Sequence, residues 1–411
     1  MKKLALLLAS LALALLAAGC GGKGSSADFP ANFKVTPGDA AVVVTWTAEP
    51  DVEYWIFYGP GEGITTTNWI ASGGVVIPNV TSPRVITGLA NGSTYSFTIN
   101  GRKSGGPGGS GAPTQAVVPQ IAGANWAAGD PLGSARLNAI ATGNVATGNA
   151  VVTVGANGAI FTSIAGAATT ASTNPAAPAD LNAVWYASLG YIAAGANGTI
   201  LYSTDATTWT VQASTTTAAL YGGTSLGSGG YIAVGAAGTL LGSSDGQTWA
   251  AVASGTTENL YAATFGNSRY VAVGANGTIV TTADGITWEA VASGTPNDLR
   301  GVAFAAIGTT IDGVTVVTNH FVAVGAAGAV LTSSDGVTWT VQPPITAKDL
   351  LAVVYGGQFV AVGKAGGIFT SPDGLTWQAR TSGTANDLAA IARTLSGYTA
   401  VGDAGTNVSS F

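Results

Sequence analysis

The sequence predicts an all-β chain of two folded units, the second a seven-bladed β-propeller closed by its own N-terminal strand. Three observations carry this expectation. Gly numbers 60 in 411 residues and charged residues are only 8%, a composition of short apolar runs and turns. One unit, VGANGTIVTTADGITW from Val273 to Trp288, recurs down the chain, with copies ending at Trp209, Trp249, Trp339 and Trp377. Gly155, Gly195, Gly235, Gly274, Gly325, Gly363 and Gly402 hold the same place in seven copies, 40, 40, 39, 51, 38 and 39 residues apart. That is the period of propeller blades, each a four-stranded sheet.

Composition sets outer bounds. Length suits two or three domains, and 47% hydrophobic residues exclude disorder. A net charge of −6 with 14 Lys+Arg leaves no basic footprint, so nucleic acid is not expected as a partner.

The chain opens with Lys2 and Lys3 before an apolar run from Leu4 to Ala18, too short for an ordinary membrane span. The run ends in Leu16-Ala17-Ala18-Gly19-Cys20, which resembles the bacterial lipoprotein cleavage box, although Ala17 stands where that box most often has Leu. The resemblance implies diacylation of Cys20, the single cysteine, and a mature protein beginning there. With Gly21 rather than Asp after the cysteine, it also implies sorting to the outer membrane or cell surface of a Gram-negative cell. Residues 1–20 are thus read as signal peptide and 21–29, beginning GGKGSSAD, as a flexible tether.

Residues 30–119 form the first domain. Val42 to Trp46 and Tyr54 to Tyr58 read as strands, the second ended by Gly59-Pro60-Gly61. Leu89, a short turn, and Thr94-Tyr95-Ser96-Phe97 then resemble the tyrosine corner of an immunoglobulin-like fibronectin type III sandwich. The resemblance makes Trp46 the core tryptophan, Tyr95 the corner, and the domain a spacer or binding module. The glycine-rich Ser104 to Gly111 reads as a hairpin loop.

Residues 120–411 carry the blades. The first strand of each begins at a leucine: Leu137, Leu181, Leu220, Leu260, Leu299, Leu350 and Leu388. Its third position is always small (Ala139, Ala183, Gly222, Ala262, Gly301, Ala352, Ala390), as crowding about an axis requires. The second strand follows the Tyr-Ile-Ala-Val-Gly pattern and the third Gly-Thr-Ile, with the fourth expected to start at the tryptophan. Each of five tryptophans precedes the next leucine by 11 residues, and so does Trp126 before Leu137, although no blade comes before it. The seventh blade, conversely, stops at Phe411 before a fourth strand. Residues Ala124 to Ala128 are therefore expected to complete the last blade, which removes a free sheet edge.

The segment Ser-x-Asp-Gly-x-Thr-Trp resembles the Asp-box of bacterial neuraminidase repeats. Its aspartates are Asp205 (without the following Gly), Asp245, Asp284, Asp335 and Asp373. Their expected work is local: Asp accepts turn N–H groups, Gly takes a positive φ, and Trp packs on the neighbouring sheet. Blade one has no box, with Thr170 where Trp is due. A sialidase reading needs three arginines on a carboxylate, a Tyr–Glu pair and an Asp acid. The propeller has Arg136, Arg269, Arg300, Arg380 and Arg393, two glutamates and no Phe-Arg-Ile-Pro motif. No catalytic set, metal site or cofactor is expected, and His320, the single histidine, has no cysteine to share a metal with.

A candidate binding rim lies in the loops between blades. Asp180, Asp298, Asp349 and Asp387 each precede a first-strand leucine, Arg136 holds that place in blade one, and Glu258 lies in the same kind of loop. These are read either as a mildly acidic rim about the channel mouth or as solvated carboxylates that fix the turn into the strand. Blade five carries about 12 extra residues between Phe304 and Phe321, with Ile311-Asp312-Gly313-Val314 as a hairpin tip and a possible partner contact.

Taken whole, the repeat resembles the propellers of plant and cyanobacterial photosystem II assembly factors. That family's propellers bind proteins and are not enzymes, and their basic contact surface is not evident here. The expectation is a lipid-anchored envelope protein that presents a propeller to a protein or glycan. The alternative is a polysaccharide-active enzyme of the sialidase or glycosidase kind.

Overall fold

In a computed structural model, which describes residues 24–38, 40–120, 122–187, 190–225, 230–311, 314–395 and 397–410, the chain is all β apart from single 3-10 turns. The stretch read as a signal peptide, Cys20 and the tip residues Asp312 and Gly313 lie outside the described residues. The chain divides into two compact units, 1–121 and 122–411.

The first unit has two sheets. Strands Ala31–Gly38, Ala41–Thr47 and Arg84–Thr87 form one. The other pairs Val75–Val80 with Glu53–Pro60 and that strand with Tyr95–Lys103; the far edge of the last carries both Gln115–Val117 and Ser25–Ala27. Alternating residues from both sheets meet in one core, with Val42, Val44 and Trp46 facing Tyr54, Ile56, Phe97 and Ile99. The backbone N–H of Ala90 donates to Tyr95 Oη at 3.1 Å, so the tyrosine ties the turn before its strand. The tether expected over 21–29 is shorter than read. Ser25–Ala27 pairs with Gly101–Lys103, because the exposed ladder edge of that long strand satisfies backbone groups whatever the side chains.

The second unit contains seven four-stranded antiparallel sheets among the described residues, each an open path. In chain order, their first strands are Leu137–Val145, Leu181–Ala187, Leu220–Ser225, Leu260–Gly266, Leu299–Ile311, Leu350–Tyr355 and Leu388–Arg393. Successive first strands pack on one another, and the seventh packs on the first. The third strand of the last sheet, Asn407–Ser410, pairs with Trp126–Ala128 in the register Val408 to Ala128, Ser409 to Ala127 and Ser410 to Trp126. First and last sheets share a core of Leu137, Ile140, Ala390, Ala392 and Val401, and Thr142 Oγ1 donates to Arg393 O at 2.8 Å.

The repeated glycine has a steric reason. A Cβ on Gly155 would meet Arg136 O at 2.2 Å, and one on Gly195, Gly325 or Gly402 would come within 1.9 Å of the carbonyl preceding its own first strand. At each of these sites the second strand ends so close to the entry of the first that no side chain fits. The small third position is explained similarly, since a Cβ on Gly222 would lie 2.5 Å from Tyr261 O of the next blade.

Two details differ from the sequence reading. The fourth strands begin one residue after the tryptophan, at Thr210, Ala250, Glu289, Thr340 and Gln378, because the indole belongs to the turn and packs inward. Every first strand also carries a bulge between its leucine and its third residue, which turns the second residue out of the regular alternation.

Candidate functional site

The box aspartates hold the turns between third and fourth strands. Asp245 Oδ1 accepts the N–H of Gln247 at 2.8 Å and of Thr248 at 2.7 Å, while Ser243 Oγ accepts the N–H of Gly246 at 2.9 Å. Asp205, Asp284, Asp335 and Asp373 accept the two matching N–H groups in their own turns. Those donors hold Asp245 and Asp284 down to about 2. In Asp205, Asp335 and Asp373 partial burial pushes upward, yet the backbone N–H groups outweigh it and the result is again a lowered carboxyl. Gly246, Gly285, Gly336 and Gly374 sit at φ between 73° and 80°, and Ala206 takes 66° where blade two has no glycine. Trp249 donates from Nε1 to Gly246 O at 3.1 Å and meets Trp185 of the preceding blade edge-on. Trp126 repeats the hydrogen bond, donating to Gly123 O at 2.9 Å, and stacks on Tyr398 of the sheet it joins.

The loop residues singled out as a rim act as staples between blades. The carbonyl of Asp298 accepts the N–H of Ala326 in its own blade at 2.8 Å, while its Oδ1 accepts the N–H of Asn276 in the preceding blade at 3.0 Å. Asp180 does the same with Ala196 and Asn157, Asp349 with Lys364 and Ala327, and Asp387 with Asp403 and Ala365. Asn259 serves as the uncharged version, with Ala275 and Ala237. At the junction of last and first blades the charges are reversed: Arg136 Nη1 lies 2.6 Å from Asp403 Oδ1. Arg300 pairs with Asp298 at 2.9 Å and Lys364 with Asp349 at 2.5 Å. Lys364 also contributes, ahead of the Ala327 N–H, to holding Asp349 below its ordinary value. Glu258 Oε2 accepts from Asn276 Nδ2 at 3.0 Å and borders an open depression of about 850 Å³ on blade three, beside Leu240, Val252, Ser254 and Thr256. The carboxylates therefore do not converge on one empty point; each of the four aspartates is used by a backbone N–H of the neighbouring blade.

The bulged second residues of the first strands form a cluster that the sequence reading missed. They are Asn138, Asn182, Tyr221, Tyr261, Arg300, Leu351 and Ala389, all partly exposed. Asn138 Nδ2 donates to Leu181 O and Asn182 Nδ2 to Leu220 O, both at 3.0 Å. The rings of Tyr221 and Tyr261 lie 5.7 Å apart at a 48° tilt, and the Arg300 guanidinium sits 4.7 Å over Tyr261. Asn138 and Asn182 thus reach the entry of the next blade's first strand, and Tyr221, Tyr261 and Arg300 touch in series from blade three to blade five. The available signal was variation: among near-identical repeats, the second position changes chemistry from blade to blade while the first stays Leu and the third stays small.

The extra segment of blade five lengthens its first two strands to Leu299–Ile311 and Val314–Gly325, in register out to Ile311 and Val314. Val316 and Val317 are exposed there, and His320 Nε2 shares a hydrogen bond with Thr318 Oγ1 at 2.8 Å. Among the described residues no group of three or more His, Cys, Asp or Glu side chains is placed to hold a metal, and no helix is long and apolar enough to cross a membrane.

A model of the DUF6242 β-propeller domain matches residues 169–382. A search of curated proteins finds no match. Among solved structures, YCF48 bound to D1 peptide is similar with a TM-score of 0.54 at 18% identity, covering 69% of this chain and 96% of that one. YCF48 from Cyanidioschyzon merolae gives 0.53 at 15% identity, covering 70% and 98%. Virginiamycin B lyase from Staphylococcus aureus gives 0.57 at 13% identity, covering 69% and 98%. At these identities the likeness is one of fold.

Proposed function

The chain belongs to the DUF6242 β-propeller family, and from that premise we propose that it is a non-enzymatic, lipid-anchored binding protein of the cell envelope. In this reading a fibronectin type III-like unit carries a seven-bladed propeller, clasped by residues 126–128, whose loops meet a protein or glycan partner. The clasp reading draws on the pairing of Trp126–Ala128 with Asn407–Ser410 and on the core shared by the first and last sheets. The fibronectin reading draws on the two facing sheets, the buried Trp46 and the Tyr95 corner. Anchoring through Cys20, and the outer membrane or cell surface as its place, rest on the N-terminal pattern alone. The YCF48 structure with its bound peptide offers a precedent for a propeller of this fold that holds another protein's segment.

One observation carries the choice of binding over catalysis. A hydrolase needs carboxylates free to take or give a proton, whereas Asp180, Asp298, Asp349 and Asp387 each fix a backbone N–H of the preceding blade. The varied chemistry sits instead on aromatic and amide groups suited to contact. The test is capture from envelope extracts by the full chain, alongside a polysaccharide hydrolysis screen. The reading predicts a reproducible partner and no turnover; turnover with no partner contradicts it.

A further inference from the structure

Six of the seven junctions between neighbouring sheets are filled by a pair of aromatic rings. One ring is the tryptophan before the fourth strand, which packs on the second strand of the preceding sheet. Trp249 shares a core with Ile192 and Ala194 there, and Trp288 with Ile232 and Val234. Trp209, Trp339, Trp377 and Trp126 take the same place at their own junctions. The other ring opens the second strand of the tryptophan's own sheet, as Tyr231 beside Trp249 and Phe321 beside Trp339.

The seventh junction, between the last sheet and the first, has neither ring. Thr162 pairs with Thr170 as Tyr202 pairs with Thr210, so Thr169 is the counterpart of Trp209. Spacing alone assigns that place to Thr170; the pairing moves it back by one. Val151 pairs with Ser163 as Tyr191 pairs with Ser203, and so stands where the other sheets have Tyr or Phe. Between these residues and the last sheet lies a cavity of about 150 Å³, bordered by Thr169, Val151, Thr399 and Val401. Thr399 and Val401 are the counterparts of Ile192 and Ala194, on which Trp249 packs. Asn407 also borders it, where the third strands of the other sheets begin with Ile, Leu or Val. Its Oδ1 is buried and has no partner among the described residues.

We propose that this junction is a binding site for one planar aromatic group that carries an N–H or O–H donor, an indole or a phenol. Size, wall and polarity agree. A cavity of this size accepts a benzene-sized ring, and the same strand positions hold an indole at six other junctions. Covering an apolar wall with a ring is favourable, and a donor on that ring would satisfy an acceptor that is costly to leave buried and unpaired. Thr169 and Ser409 at its border are exposed, so the site is reached from the surface. Its lining contains no Lys, Arg, Asp or Glu, which disfavours a charged ligand.

The inference stands on this junction alone and does not need the partner reading above, which the capture experiment decides separately. Fluorine NMR of 5-fluoroindole added to the full chain reads binding from the probe itself, apart from the 10 native tryptophans. The inference predicts saturable one-site binding, competed by indole and, about three- to tenfold more weakly, by 1-methylindole, which lacks the donor. Thr169→Trp and Val151→Tyr each return a ring found at the other junctions. Both are predicted to abolish the signal while keeping or raising the thermal midpoint. Asn407→Leu is predicted to bind 1-methylindole as well as indole, and Gln247→Ala in a distant turn to match the parent. The blocked peptide acetyl-Gly-Thr-Trp-Thr-Gly-amide separates two sources of the ring. Tighter competition than indole assigns the site to a side chain of a partner protein, and equal or weaker competition to a free small molecule. No saturable signal in the parent, or a signal that survives both ring-restoring variants, overturns the inference. Unfolding of both variants overturns it too, because the junction then has no place for a ring.

Discussion

At Asp245 and Asp284 two backbone N–H groups converge on one carboxylate oxygen, and both side chains are held to about 2 against an ordinary 3.8. A lowered folded value means that the charged form is favoured by folding. The contribution is present above about pH 4 and is lost as pH falls toward 2. Denaturant midpoints measured from pH 5 to pH 2 should therefore drop across that window, and the double variant Asp245→Asn, Asp284→Asn should drop less steeply, from a lower starting midpoint. An unchanged slope would deny the aspartates their turn-holding work. This role was legible in the sequence, because donor, acceptor and tryptophan lie within five residues of one another. The stapling role of Asp298 or Asp387 was not. Its N–H partner is 22 residues upstream in another blade, and only the packing of blades brings the two together. The second residues of the first strands were hidden for a different reason: a bulge, invisible to a period-two reading, decides where their side chains go.

Among the elements, the shortest carries the most consequence. Trp126–Ala128 has three residues, yet it supplies the fourth strand of the last sheet and a buried indole stacked on Tyr398. Trp126→Ala removes a large buried side chain, a change that costs about 3–5 kcal/mol in well-packed cores. It also frees the edge of Asn407–Ser410. Equilibrium denaturation should show that loss, and amide exchange should speed up in residues 398–410 more than in the middle blades. Uniform exchange would mean that the strand only decorates the sheet. The spacing of 11 residues from Trp126 to Leu137 pointed to this strand, since it matches the spacing in five other blades. The strand Ser25–Ala27 gave no such sign. Gly and Ser around it read as a tether, and its pairing comes from an available ladder edge more than from its own side chains.

For the molecule as a whole, equivalent positions matter only if the blades form a ring. The glycine period and strand patterns made the sheets legible, because each sheet is built from one contiguous stretch. The junction of first and last blades is built from residues about 250 to 280 positions apart, and there the chain uses its own devices: the pairing of Ser409 with Ala127, the bond from Thr142 to Arg393 O, and Arg136 on Asp403 where four other blades use an aspartate on an N–H. A ring gathers the unlike second residues about one mouth; an open arc spreads them along a surface.

Directly facing residues on antiparallel strands have Cα atoms about 4.5–5.5 Å apart, within the range a disulfide spans. The decisive measurement is therefore oxidation of the pair Ala127→Cys, Ser409→Cys in a Cys20→Ser background, read on non-reducing gels and by peptide mass. The account predicts an intramolecular cross-link in the folded protein that vanishes when either cysteine is omitted. Free thiols after oxidation, or cross-links only between chains, would contradict it.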